Sequence, residues 1–251
     1  MNASRCLAFA LAFLGAGNRV GQAFASEAAA AARERAPALT LNQVTVTGCS
    51  FPNFGFEAML LQAHALGFAG VEIAVFPEKE TNYGETYPWV VVDRLTPAEK
   101  VRLRALVRRF RRVSTHLPYG PELRPLAADA AIREKSRLEL HRAIDDSGFW
   151  GAEIANIHVL SEPGLAYADA KPALLSLYRE LGDHAARLGL RLAIETTRPY
   201  RMADYLDLVA AIDHPQVGGS LDTGHISFFR PELGVEGSAR QTPAGIRRYN
   251  D

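Results

Sequence analysis

Cysteine is nearly absent from this 251-residue chain: only Cys6 and Cys49 occur, and neither has a second cysteine at metal-type spacing. A cysteine-ligated metal module is therefore excluded. Charge of one sign is also lacking, because 28 Lys and Arg balance 28 Asp and Glu. Composition gives no electrostatic pull toward nucleic acid or an anionic membrane surface, so neither partner is expected. The apolar run from Cys6 to Ala16 is too short to span a bilayer. What is present, 48% hydrophobic and 22% charged residues, is an ordinary globular composition with length for one large domain.

The amino end differs from the rest. Arg5 precedes that apolar run, and Ala23-Phe24-Ala25 forms an A-x-A site before Ser26. This layout is expected of a secretory signal peptide over residues 1–25. Its removal would take Arg5, Arg19 and Cys6, leaving a net charge of −2 and Cys49 alone. The mature chain would then be exported or periplasmic; a start codon read too far upstream would instead leave it cytoplasmic. Residues 26–38, rich in Ala, Glu and Arg, read as a linker or short helix, and the folded domain is expected over 39–251.

From Leu39 onward short β-type runs alternate with helical stretches. Strands are expected at 41–46, 70–74, 113–116, 152–158, 191–195 and 217–221. Helices are expected at about 55–66 with Gly67 as C-cap, from Thr96 where T-P-A-E forms a capping box, and at about 130–147 with Gly148 as the stop. Further helices fall at about 169–188, 203–212 and 242–249. Six arginines between Arg102 and Arg112 suit a solvated outer helix better than a phosphate-binding face. The stretch from Pro77 to Leu95 is long enough to be a functional lid. Regular β-α alternation predicts right-handed crossovers and a parallel sheet covered by helices, the pattern of a TIM (β/α) barrel.

Placed on that frame, the polar residues fall in one place. His116, His158, Glu195 and Asp222 each sit at the carboxyl end of a different predicted strand. His225 follows in L-D-T-G-H, where Gly224 lets the backbone turn. In a (β/α) barrel those ends share the face on which active sites are built. Carboxylates and imidazoles converging there form a metal site.

The segments G-F-A-G-V-E-I (67–73), S-T-H-L-P-Y-G (114–120), I-A-N-I-H-V-L (154–160), L-A-I-E-T-T (192–197) and S-L-D-T-G-H (220–225) resemble the xylose-isomerase-like TIM-barrel superfamily. That group holds sugar and sugar-phosphate isomerases and epimerases and abasic-site endonucleases of the endonuclease IV type. The resemblance implies that Glu195 is a bridging metal ligand and an acid/base, and that Asp222 and His225 are further ligands. His116 and His158 fall where the endonuclease branch holds zinc and where the isomerase branch lines its substrate pocket. Glu72 matches an acid that contacts substrate or holds the site. Six β-α units are readable, so the barrel is expected to be incomplete, truncated before strands 7 and 8. Its open edges would be a pairing surface for a second copy or a partner chain.

The expected activity is divalent-metal-dependent isomerisation or epimerisation of a sugar, sugar phosphate or related polyol by proton transfer alpha to a carbonyl. Mn²⁺ or Mg²⁺ suits the carboxylates, and the histidines pull toward Zn²⁺. Two alternatives stand beside it: a zinc phosphodiesterase acting at abasic DNA, and a barrel that binds sugar or metal without turnover.

Overall fold

A computed structural model describes residues 40–76, 81–82, 85–86, 88–198, 200–225 and 229. The expected leader, the linker and the helix at 242–249 lie outside them. After a 3₁₀ turn at Leu41–Gln43 come β1 (Thr45–Thr47), a second 3₁₀ turn at Gly48–Ser50, α1 (Phe56–Ala65) and β2 (Gly70–Ala74). The short strands β3 (Thr81–Asn82) and β4 (Glu85–Thr86) and a 3₁₀ turn at Val92–Arg94 precede α2 (Pro97–Val107) and β5 (Arg112–His116). The chain continues through α3 (Ala130–Trp150), β6 (Ile154–His158), α4 (Tyr167–Arg187), β7 (Arg191–Glu195), α5 (Met202–Ile212) and β8 (Val217–Ser220).

Six strands pair in the order β1-β2-β5-β6-β7-β8, every pair parallel. This is an incomplete (β/α) barrel, with five β-α units and a sixth strand among the described residues and β1 and β8 at the sheet's two edges. Alternation along the strands divides its faces. Val71, Ile73, Val113, Ala155, Ile157, Leu192 and Ile194 are buried and join Met59, Val107, Ile144 and Leu181 of the helices in one apolar core. The alternate positions Glu72, Ser114, His116, Asn156 and His158 are half-buried and point the other way.

Local chemistry sets the element ends. Glu99 closes the capping box of α2, accepting from the Thr96 amide at 2.8 Å while its own amide donates to Thr96 Oγ1 at 3.3 Å. Asp129 caps α3 by accepting from the Ala131 and Ile132 amides. Gly67, at φ +87°, ends the turn after α1.

Three expectations are corrected. The first strand covers only Thr45–Thr47, because the Leu41 carbonyl accepts from both Val44 and Ala69 and bends 41–43 into a 3₁₀ turn. The fourth begins at Ile154, two residues late, because the Ala152 amide is still bound to the Ser147 carbonyl. Gly148 does not stop α3. The helix runs on to bury Trp150 against Phe56, and Gly151, at φ +74°, ends it. Gly148 instead permits a close approach, since a Cβ there would lie 3.2 Å from Leu188 Cδ1. The stretch 77–95, read as a lid, contains the β3–β4 hairpin and a 3₁₀ turn. The arginine-rich α2 is an outer helix: Arg102 pairs with Glu57, and Arg104 lies over the Phe149 ring at 5.4 Å.

Polar links tie helices to strands where the core would otherwise be featureless. The Thr115 hydroxyl donates to Ser147 Oγ, which in turn donates to the Ala143 carbonyl. Tyr178 of α4 accepts from the Leu160 amide at 2.8 Å and donates to the His158 carbonyl at 3.2 Å. Tyr205 of α5 reaches the Ile194 carbonyl at 3.0 Å and the Ser220 carbonyl at 3.2 Å. Two phenols thus pin the carboxyl ends of β6, β7 and β8. Burial pushes both hydroxyls above the usual tyrosine pKa, so they remain neutral.

Two outcomes are expected. Gly182 of α4 faces Val217 and His214 so closely that an added Cβ would meet them at 2.6 and 2.7 Å. Gly182→Ala should cost about 1–3 kcal/mol by overpacking, read as a lower urea midpoint at unchanged m-value. Burial pushes Asp146 up to about 6, against the pull of the Arg142 guanidinium 2.8 Å away. A carboxyl whose folded pKa is raised contributes stability that is full below its unfolded value and lost as pH rises through the folded one. Wild type should therefore lose stability relative to Asp146→Asn between about pH 4 and 7, by roughly 2–3 kcal/mol at most. Parallel melts of the two proteins across that range would show it.

Candidate metal centre

Parallel register builds the site. His158 of β6 pairs with Glu195 of β7, and Glu195 pairs with Ser220 of β8. One strand further along the sheet, His116 of β5 pairs with Asn156 of β6. All stand at carboxyl ends, so their side chains meet on one face. Glu195 lies at the centre, 8% exposed. His116 Nε2 is 3.5 Å from its Oε2, His158 Nε2 is 3.7 Å from its Oε1, and His225 Nδ1 is 3.0 Å from its Oε1. Asp222 Oδ2 lies 3.5 Å from His225 Nδ1.

The turn after β8 is held by Thr196, which is fully buried. Its hydroxyl accepts from the Asp222 amide at 2.9 Å, and its carbonyl lies 3.0 Å from His225 Nδ1. The His225 amide donates to Asp222 Oδ1 at 2.9 Å, closing the D-T-G-H turn on itself. His116 is fixed by its Nδ1, which faces the Leu117 carbonyl at 2.8 Å and leaves Nε2 directed at Glu195.

These side chains form two groups that share Glu195. One is His116, His158 and Glu195; the other is Glu195, Asp222 and His225, and in each the ligand atoms lie within 4.8 Å of one another. Ligands at about 2.0–2.3 Å from a divalent ion stand roughly 3–4.5 Å apart, so the donor set fits such an ion. For His158 and Asp222 the electrostatics agree with that fit. Burial, with His116 and His225 beside it, pushes His158 down to about 3, so its imidazole is neutral and its lone pair available at pH 7. Burial would raise Asp222, but hydrogen bonds, led by the His225 amide, outweigh it and keep it an anion. For His116 burial acts downward, and the Glu195 hydrogen bond and Glu72 charge outweigh it, leaving the pKa raised.

The cleft above the cluster has a volume of about 630 Å³. Glu72 lines it but belongs to neither ligand group; it accepts from Asn156 Nδ2 at 2.7 Å. Phe76 and Tyr119 also line it, with Trp89 behind Phe76 at 4.3 Å between rings and Tyr119 stacked on His158 at 4.5 Å. Asn156, Thr196 and Phe76 are site residues that the sequence reading missed. Asn156 carried a usable signal, since it stands two residues before His158 and so faces the same way.

The family model of the xylose isomerase-like TIM barrel matches residues 60–241. The chain belongs to that family. Solved structures agree on the fold. A Thermus thermophilus protein soaked with ZnCl₂ is 23% identical, with TM-score 0.51, over 72% of this chain and 66% of its own. A xylose isomerase-like barrel protein of Mycobacterium smegmatis in complex with magnesium is 18% identical, with TM-score 0.53, over 84% and 72%. A D-psicose 3-epimerase with D-tagatose from Clostridium cellulolyticum H10 is 14% identical, with TM-score 0.58, over 81% and 68%. No curated protein matches the chain. In this xylose isomerase-like barrel all five strand-end residues singled out above meet in one cluster, and Glu72 stands beside it.

Thr196 holds both Asp222 and His225 without being positioned as a ligand. Thr196→Val should weaken divalent-metal binding by about 10–100-fold, and Thr196→Ser should restore most of it. Titration of the metal-free protein with Mn²⁺ or Zn²⁺, beside thermal melts of each variant, separates lost ligation from lost fold.

Proposed function

We propose that this chain is a divalent-metal-dependent isomerase or epimerase of a sugar or polyol that moves a proton alpha to a carbonyl. One observation carries the reading: a buried carboxylate, Glu195, faces three imidazoles at the base of a polar cleft large enough for a monosaccharide. Glu195, Asp222 and His225 would hold the ion, with His158 completing the set. When bound, the ion polarises adjacent substrate oxygens and so acidifies the neighbouring C–H. The carboxylates favour Mn²⁺ or Mg²⁺, and the histidines draw the choice toward Zn²⁺.

The chain's own groups supply the rest. Glu195 is placed to accept the substrate proton, and His116, hydrogen-bonded to it, offers a second site for that proton. Glu72, oriented by Asn156, presents a carboxylate oxygen to substrate hydroxyls. Phe76 and Tyr119 form an apolar wall that excludes water and packs on the C–H face of a sugar ring. Sugar epimerases among the structural neighbours support the same reading.

A second reading has its own support. Two ligand groups sharing one carboxylate suit a pair of ions, as a zinc phosphodiesterase acting at abasic DNA would require. Exchange in deuterated water decides between them. Mn²⁺-loaded protein given ketopentoses and ketohexoses should incorporate deuterium at the carbon beside the carbonyl, and Glu195→Gln should lower the rate by about 10²–10⁴. Wild type that holds metal and exchanges no ketose proton, yet nicks an abasic duplex, would reverse the assignment.

A further inference from the structure

Glu195 and His116 serve one side of a substrate only. The two side chains meet, with His116 Nε2 3.5 Å from Glu195 Oε2, so a proton shared between them leaves and returns on the same face. Return on that face restores the starting configuration at the carbon. Inversion there needs a second acid/base on another wall of the cleft.

The walls come from the two ends of the sheet. Thr47 of β1 and Glu72 of β2 line one side; Glu195, Ser220 and Asp222, from β7, β8 and the turn beyond, line the other. In the strand order β5 and β6 lie between β2 and β7, three strand spacings or about 14 Å at most along the sheet. Among the described residues the carboxylates of the cleft are Glu72, Glu195 and Asp222, and Glu72 alone stands outside both ligand groups. It is thus not committed to an ion.

Glu72 is also held in place. It pairs in register with Ser114, two residues before His116, so it sits about 6–7 Å deeper than the strand end that carries the imidazole. Asn156 Nδ2 donates to its Oε2 at 2.7 Å. That bond fixes the plane of the carboxyl and draws it from β2 toward β6, the strand beside that of Glu195. Its charge is felt at His116 on one side and at Cys49 on the other. A substrate carbon lying above Glu72 and beside Glu195 presents a different face to each.

We infer that Glu72 is the second acid/base of the site, the group that returns a proton to the face of the substrate carbon opposite Glu195. The inference rests on the isomerase reading and deepens it, because two bases on two walls select inversion at that carbon. Glu195 takes the proton beside the carbonyl; the C–H electron pair becomes the carbon–carbon double bond of an enediolate, and the carbonyl π pair moves to oxygen. As the carbonyl re-forms, the double-bond pair takes the proton of the Glu72 carboxyl and makes the new C–H bond. Glu195 ends protonated and Glu72 ionised, and exchange with water restores the pair. The reverse reaction starts with Glu72 as the base.

Ketohexoses in deuterated water, given to Mn²⁺-loaded protein, separate exchange from inversion. Wild type should release the epimer with deuterium at the carbon beside the carbonyl. Glu72→Gln should form that epimer at least about 100-fold more slowly. It should still exchange deuterium into the unchanged starting ketose within about threefold of wild type, because Glu195 and His116 remain. Supplied with the product epimer, the same variant should lose exchange as well, by a similar factor, since there Glu72 takes the proton. Mn²⁺ titration of metal-free Glu72→Gln, with thermal melts beside it, needs no turnover and should agree with wild type within about twofold. Weakened metal binding would make Glu72 a ligand, and equal losses of exchange and inversion through a raised KM would make it a substrate contact. Either result overturns the assignment, as does undiminished epimer formation in Glu72→Gln. Wild type that exchanges without inverting would overturn it and leave the isomerase reading standing; wild type that exchanges no ketose proton removes both.

Discussion

A carboxylate that is 8% exposed must be compensated, and the carboxyl end of this sheet is arranged around that requirement. Glu195 is surrounded by His116, His158 and His225 at 3.0–3.7 Å, each from a different strand or from the turn beyond β8. The compensation therefore depends on strand register. A slip of one residue in β6 or β7 would turn His158 or Glu195 toward the helices and put an apolar side chain in its place. The clustering of these side chains and the pairing of the sheet are, in this molecule, the same constraint seen at two scales.

The helices contribute to that constraint from behind. Tyr178 and Tyr205 hold strand-end carbonyls of β6, β7 and β8, and Thr196 holds the turn that carries Asp222 and His225. Each is a buried polar group satisfied within a few ångströms of a proposed ligand but facing away from the cleft. Together they convert loop residues into fixed ones, which matters because a site tolerates little misplacement of its ligands.

Much of this was legible in the amino-acid sequence because it depends on local pattern. Alternating β-type runs and amphipathic stretches gave the parallel sheet, and the T-P-A-E box gave the start of α2 to the residue. Ligand-type residues at successive strand ends indicated a cluster, and His116, His158, Glu195, Asp222 and His225 do meet. The misreadings come from interactions distant in sequence. Gly148 looked like a helix stop because glycine has low helix propensity, but burial of Trp150 carries the helix onward. The 3₁₀ turn at 41–43 depends on Ala69, 28 residues away on the Leu41 carbonyl. Thr196 and Tyr205 could not be singled out at all, since a threonine after a strand and a tyrosine in a helix carry no signal until their partners are in place.

The two tyrosine pins also bear on how such a site can change over time. Their phenols sit on helices of the outer layer, whereas the carbonyls they hold belong to the strands that end in His158 and Glu195. A substitution that shifts α4 or α5 by a fraction of an ångström is transmitted along a side chain of fixed length to the spacing between proposed ligands. Residues on the covered faces of these helices thus form a set of adjustment points outside the cleft. Through them the spacing of the proposed ligands can drift with no exchange of any of those side chains.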